Sequence, residues 1–312
     1  MMYRHGFSFA FDPQSMSSSH SNLSSLLENH SASLLQEGKT SEALRSATTA
    51  VSTAREGVVS GEKGTLAALV RALESLGDVY RHLEDVPAAE ASYREAVELL
   101  DKAEVDLKLK AKLRSRLATM LDFTQREAES VPYYEQSIAD YEAMTPPEDD
   151  VAAQLRNNLA MTYKGLGKHS LAEQHYLRAL EILEQKHGLE SEFTATLFNN
   201  LGSLYYTAGY PDQGKEMLIE ALEIRTRLLG PEHPDVAQSF CNLASTCHDL
   251  GDSAAAQENY EKGLAILEKH IKDEATSYEA VGLDYIALLE NLKEDKKAAA
   301  FEKRMKKVLE SV

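Results

Sequence analysis

Asn157-Asn158-Leu159-Ala160, followed by Tyr163, Gly167, Ala172, Tyr176 and Ala179, sets a pattern that returns after 42 residues. The second copy reads Asn199-Asn200-Leu201-Gly202, then Tyr205, Gly209, Gly214, Leu218 and Ala221. The third reads Asn242-Leu243-Ala244, then Cys247, Gly251, Ala256, Tyr260 and Gly263. A fixed period of this length marks a solenoid, whose units bury their apolar faces only against their neighbours. With Ala153, Ala195 and Ala237 as position 1 of the three copies, Leu at position 7 and Tyr at position 11 lie one helical turn apart on one face. Small residues at positions 8, 20 and 27 let two helices approach closely, and the aromatic at position 24 fills the space toward the next unit. No strand pattern competes. The expected fold is all-α, a right-handed superhelix (α-solenoid) of about seven helix pairs.

Working outward, a clear earlier unit carries Leu76-Gly77, Tyr80, Ala89, Tyr93 and Ala96. A weaker one carries Leu117-Ala118, Leu121, Tyr134 and Ser137. A degenerate first unit, with Gly38, Ala43, Ala47 and Ala50, runs to about Glu56, and Gly57–Thr65 reads as a loop because it carries Gly57, Gly61 and Gly64. In Gly230-Pro231-Glu232-His233-Pro234-Asp235, Gly230 suits a left-handed helix end and Pro234 opens the next helix. The last unit, near Tyr285, Ile286, Leu289, Ala298 and Phe301, holds Lys296, Lys297, Lys303, Arg304, Lys306 and Lys307, as suits a solvent-facing cap. The expected repeats lie near 22–56, 66–104, 107–146, 150–188, 192–230, 234–271 and 276–312, forming a single array over 22–312. Residues 1–21 form a flexible tail, Ser-rich behind Tyr3, Phe7, Phe9 and Phe11. The three alternating Phe would share one side of an extended chain, so the tail is read as a docking peptide and a route to self-association.

The net charge of −17 argues against nucleic acid as a bulk partner, because phosphate binding needs a clustered positive surface. Cys241 and Cys247 are the two cysteines, six apart in an expected helix, a spacing that suits neither a disulfide nor a metal. A reducing cytoplasm follows as the expected location. No apolar run reaches the length of a membrane span, so no membrane insertion is expected. The short run Gly6–Phe11 ends at Asp12, too soon for a secretory signal.

The pattern Leu-Gly-x-x-Tyr … Ala-x-x-x-Tyr-x-x-Ala resembles the tetratricopeptide repeat, in register from about 66 to 272. The period of 42, the paired asparagines and the phrase Ala221-Leu222-Glu223-Ile224-Arg225 … Leu229-Gly230-Pro231-Glu232-His233-Pro234-Asp235-Val236-Ala237 are similar to the kinesin light chain subclass, mainly over 151–272. Kinesin light chains of eukaryotes carry heptad coils before their repeats, which bind the motor heavy chain; here about 21 residues without heptads stand in that place. The resemblance therefore implies a stand-alone repeat protein, like the bacterial kinesin-light-chain-like proteins that accompany bacterial tubulin. The partner it implies is a bacterial tubulin or its filament, with a general peptide adaptor as the alternative.

Motifs for catalysis are few. Gly167-Lys168-His169-Ser170 resembles the end of a phosphate loop, but Thr162 stands where its first Gly belongs and no strand precedes it. His169 and His175 are six apart, and His-Glu-x-x-His and Gly-x-Ser-x-Gly do not occur. No catalytic residue, metal or cofactor is expected. The tetratricopeptide resemblance implies instead that positions 2, 5, 6, 9, 12 and 13 line a peptide-binding groove. Those positions supply Asn157, Asn158, Asn199, Asn200 and Asn242, whose amides can either hold an extended peptide backbone or bridge neighbouring helices. They also supply Arg71, Arg81, Lys112 and Arg116, with Lys108 one turn before Lys112. Lys108, Lys112 and Arg116 share a face and read as a local basic patch for acidic segments. Lys112-x-x-x-Arg116 resembles half of a chaperone-type carboxylate clamp, but Glu28, Ala32 and Ser75 break the other half.

Overall fold

The structure, a computed structural model, describes residues 19–311. The aromatic tail with Tyr3, Phe7, Phe9 and Phe11 lies outside the described residues. The described residues hold fourteen helices and no strand. The helices come in pairs: α1 (Ser19–Gln36) with α2 (Thr40–Val59), α3 (Thr65–His82) with α4 (Val86–Leu99), and α5 (Leu107–Phe123) with α6 (Glu127–Glu142). They continue as α7 (Asp149–Gly165) with α8 (His169–His187), α9 (Glu192–Thr207) with α10 (Pro211–Leu229), α11 (Pro234–Asp249) with α12 (Ser253–Lys269), and α13 (Ile271–Asn291) with α14 (Asp295–Leu309). The chain divides between Glu148 and Asp149 into two compact units, each a stack of such pairs.

The turn inside each pair has one backbone requirement. Position 15 takes positive φ throughout: Gly38, Gly167, Gly209 and Gly251 fill it in four repeats, and Glu84, Gln125 and Lys293 fill it at φ near +60° in the other three. The left-handed turn is thus a property of the repeat, met with strain where the residue has a Cβ. Side chains then cap several helices. Asp85 accepts from the Ala88 N–H at 3.2 Å, Asp106 from Leu109 at 2.7 Å, Ser191 from Thr194 at 3.1 Å and Asp252 from Ala255 at 3.1 Å.

The small residues are small because their partners touch them. A Cβ on Gly202, at position 8, would stand 2.8 Å from Leu218 Cγ and 2.9 Å from the Gly214 carbonyl oxygen. One on Gly77, at the same position, would meet the Tyr93 ring at 2.6 Å. Around these approaches the first unit buries Ala47, Leu73, Tyr93, Leu117 and Leu121, and the second buries Tyr260, Leu264, Tyr278, Tyr285 and Leu289.

Three local readings need correction. Helix α2 runs through Gly57 to Val59, so the loop is confined to the turn before Thr65; Gly57 is where the helix packs on Thr65 and His20. Gly230 has φ of 86° and ψ of 157°, a glycine-type conformation outside the left-handed helical region. Tyr163 and Tyr205, which share position 11, are both expected in the core; Tyr163 is buried there, whereas Tyr205 is half-buried and donates its hydroxyl to Glu173 Oε1 at 2.6 Å. Helix α13 has a break at Glu274, where the backbone leaves helical φ/ψ.

Candidate protein-binding face

In the second unit the asparagines pair across repeats in one register. Asn200 Nδ2 of α9 donates to Asn157 Oδ1 of α7 at 2.9 Å, and Asn242 Nδ2 of α11 donates to Asn199 Oδ1 of α9 at 2.7 Å. Each bond runs from position 6 of one repeat to position 5 of the repeat before. Asn158 accepts from Asn157 Nδ2 at 3.3 Å, and Asn242 Oδ1 accepts from Gln238 at 2.9 Å. Asn157 is buried, while Asn158, Asn199, Asn200 and Asn242 are half-buried. The next pair in the register is Cys241 and Asp284 of α13. Burial pushes the Cys241 thiol up to about 12, and the Asp284 carboxylate adds to the shift. Both cysteines are free and buried.

The same helices carry polar links at positions 9 to 13. Lys164 Nζ donates to the Ser203 hydroxyl, and Tyr206 donates to Asp249 Oδ2 at 2.6 Å. Burial pulls the Lys164 amine below the ordinary lysine range. The face thus combines amides and hydroxyls with the Lys164 amine and the Asp249 carboxylate, and Met161 is an exposed apolar residue among them.

In the first unit the same register is ionic. Arg116 at position 6 stands 3.2 Å from Glu74 Oε1 at position 5 of the preceding repeat, and it also pairs with Asp78. Lys112 Nζ reaches Glu74 Oε1 at 2.7 Å. Tyr93 donates to Asp78 Oδ1 at 2.6 Å, and Arg116 lies over its ring at 6.0 Å. Burial first, and then Asp78, push the Tyr93 hydroxyl well above the tyrosine range. Lys108 stands apart from this cluster, bonded to Glu148 Oε1 at 2.6 Å. Arg71 is half-buried and favours the charged form of Glu28, whose carboxyl burial holds above its ordinary value. Arg81 is exposed in the last turn of α3. Lys112 and Arg116 thus converge on Glu74, and the three cations of the sequence patch each face a carboxylate. Sequence reasoning passed over Glu74 and Asp78; aligning position 5 of each repeat with position 6 of the next is the signal that finds Glu74.

Among the described residues no group of three or more His, Cys, Asp or Glu is placed to hold a metal. No helix of the described residues is long and apolar enough to cross a membrane.

A family model described as tetratricopeptide repeat matches residues 151–213 and 194–269, and a second of the same description matches 70–99. The chain is similar to the crystal structure of BtubC (BKLC) from P. vanneervenii, at 30% identity over 72% of this chain and 89% of that one, with a TM-score of 0.57. It shares its fold with a putative kinesin light chain of nearly identical TPR-like repeats from Podosopora anserina, at 20% identity over 64% of this chain and 96% of that one, TM-score 0.55. It also shares its fold with the apo form of RapI, at 12% identity over 93% and 77%, TM-score 0.67. No curated protein matches the chain.

Proposed function

The chain belongs to the tetratricopeptide repeat family, and from that premise we propose that it is a non-enzymatic scaffold serving a bacterial tubulin filament as a cytoskeletal accessory protein. Its binding body is the set of repeats between 22 and 312, acting in the cytoplasm. The observation that carries the reading is the amide face of α7, α9 and α11. Each cross-repeat bond uses one of the two Nδ2 donors of Asn200 or Asn242. A second N–H on each remains to meet the carbonyls of a bound chain, whatever its side chains. The likeness to BtubC supports a tubulin as the partner. The side-chain independence of amide recognition favours the second reading, a general peptide adaptor for a signalling or secretion partner.

The paired state of Lys112, Arg116 and Lys108 weighs against that patch as the main anchor for acidic segments, since new carboxylates must displace those already bound. The tail with Tyr3, Phe7, Phe9 and Phe11 is proposed as an accessory docking element and a means of self-association. Deleting residues 1–12 should then lower self-association or partner affinity; no change in either removes the tail from the account.

Gln154 and Gln238 are exposed at position 2 on α7 and α11. Gln154→Trp with Gln238→Trp should obstruct the face without touching the core. Binding to purified bacterial tubulin is expected to fall about tenfold or more, the size of a disrupted hot spot. Unchanged binding at unchanged helicity would move the contact off this face.

A further inference from the structure

A second surface lies on the other helices of the pairs, between α12 and α14. It is a groove of about 380 Å³ floored by Leu264, Tyr285 and Phe301. Tyr285 and Phe301 meet edge to face at 5.1 Å. Its rim is already neutralised: Glu261 accepts from Tyr285 at 2.7 Å and pairs with Lys297 at 2.9 Å, and Arg304 pairs with Glu268 at 2.6 Å.

Beyond the rim the charge changes. Helix α14 has six cations against two carboxylates, in a chain of net charge −17. Lys297, Arg304 and Lys306 are engaged in ion pairs. Lys296, Lys303 and Lys307 are exposed, and no ion pair engages them among the described residues. Their spacing of seven and four residues sets them in one row on the helix, with Ala300 of the groove between them.

The same molecule holds a control. The groove between α2 and α4 occupies the same repeat positions, with a floor that includes Val51, Leu73 and Leu76. Its rim pair is Arg55–Glu95 at 2.7 Å, the charge-reversed equivalent of Glu268–Arg304. At the positions of Lys296, Lys303 and Lys307 it has Pro87, Arg94 and Glu98, and Arg94 is tied to Glu90 and Glu129. The register makes a groove in both places; only the α12–α14 groove has a free basic row beside it.

We propose that the α12–α14 groove and its lysine row bind an acidic peptide segment carrying one large apolar side chain. The side chain enters over Phe301 and Ala300, beside the Lys297 ammonium that lies over the Tyr285 ring at 5.8 Å, and the carboxylates align with Lys296, Lys303 and Lys307. Charge complementarity selects this occupant, because a row of unengaged cations on an acidic protein repels basic segments and gives neutral ones no gain.

Fluorescence anisotropy on the full chain tests this with a labelled peptide of eight glutamates around a central Phe, and with the same peptide carrying Ala at its centre. Wild type should prefer the Phe probe and lose affinity as salt rises. K296E/K303E/K307E should weaken Phe-probe binding about tenfold or more, the sum of three surface pairings. A300E, which fills the groove, should weaken it and abolish the preference for Phe. Circular dichroism should show helicity unchanged, and the milder K296Q/K303Q/K307Q provides a fall-back variant with the same expected direction. Wild-type affinity in the charge-reversed variant, or equal binding of the two probes, overturns the proposal. Tighter binding to phosphatidylserine vesicles than to the Phe probe, lost in the same variant, also overturns it by giving the row to a membrane. Loss of a wild-type dimer in that variant on sedimentation overturns it in favour of a second copy.

Discussion

Glu84, Gln125 and Lys293 hold the left-handed turn position that glycine fills in four other repeats. A residue with a Cβ loses about 1–2 kcal/mol in this conformation, and part of the gain on changing to Gly is returned as unfolded-chain entropy. Replacing any one of the three by Gly should therefore raise stability by roughly 0.5–1 kcal/mol in urea melts. A loss would mean that the side chain makes a compensating contact. The glycines of this turn were legible in the sequence because they recur in register, and so were the small residues at position 8. The three exceptions were not, since Glu, Gln and Lys suggest an ordinary helix surface until the backbone is seen. Tyr205 went wrong for a related reason: periodicity assigns a residue to a face, but it does not say how far a neighbour covers it. The hydroxyl of Tyr205 finds Glu173 at the edge of the core instead of its centre.

Between elements, the link from position 5 to position 6 of the next repeat joins successive first helices in both units. It is ionic at Glu74–Arg116 and amide at Asn157–Asn200 and Asn199–Asn242. A double-mutant cycle on Asn157→Ala and Asn200→Ala should return a coupling of roughly 0.5–1.5 kcal/mol, the net worth of a hydrogen bond between neutral groups. Additive losses would mean that the two amides contribute separately, each through its other contacts. The helix pairs themselves could be read from a period of 42, because each pair repeats one packing solution. The state of the basic patch could not. Glu74 and Asp78 lie 38 residues before Lys112 and Arg116, and stacking of α3 beside α5 brings them together. Counting cations along one helix face leaves out the carboxylates that the neighbouring helix presents.

Across the molecule, tyrosines set an alkaline limit. Burial first, and then a carboxylate partner, push Tyr278 and Tyr285 up to about 12, and the same forces act on Tyr205 with Glu173. Below pH 10 these phenols are protonated in the folded and unfolded chains alike, so their contribution is fully present. Above pH 10 the unfolded chain ionises first, and stability falls until the folded groups titrate near pH 12. Chemical melts should show a decline that begins near pH 10, and Tyr278→Phe should make it shallower. An unchanged slope in that variant would assign the decline to lysine deprotonation.

At the same scale stands the central claim, that this acidic repeat protein is built to hold another protein on an amide-lined face and that a bacterial tubulin filament is what it holds. Co-sedimentation with polymerised bacterial tubulin addresses it most directly, with unpolymerised tubulin as the control and the Gln154→Trp/Gln238→Trp protein alongside. The account predicts enrichment of the wild-type chain in the filament pellet, saturation with added chain, and loss of that enrichment in the double variant. Equal recovery of the wild-type chain with and without filaments would contradict it.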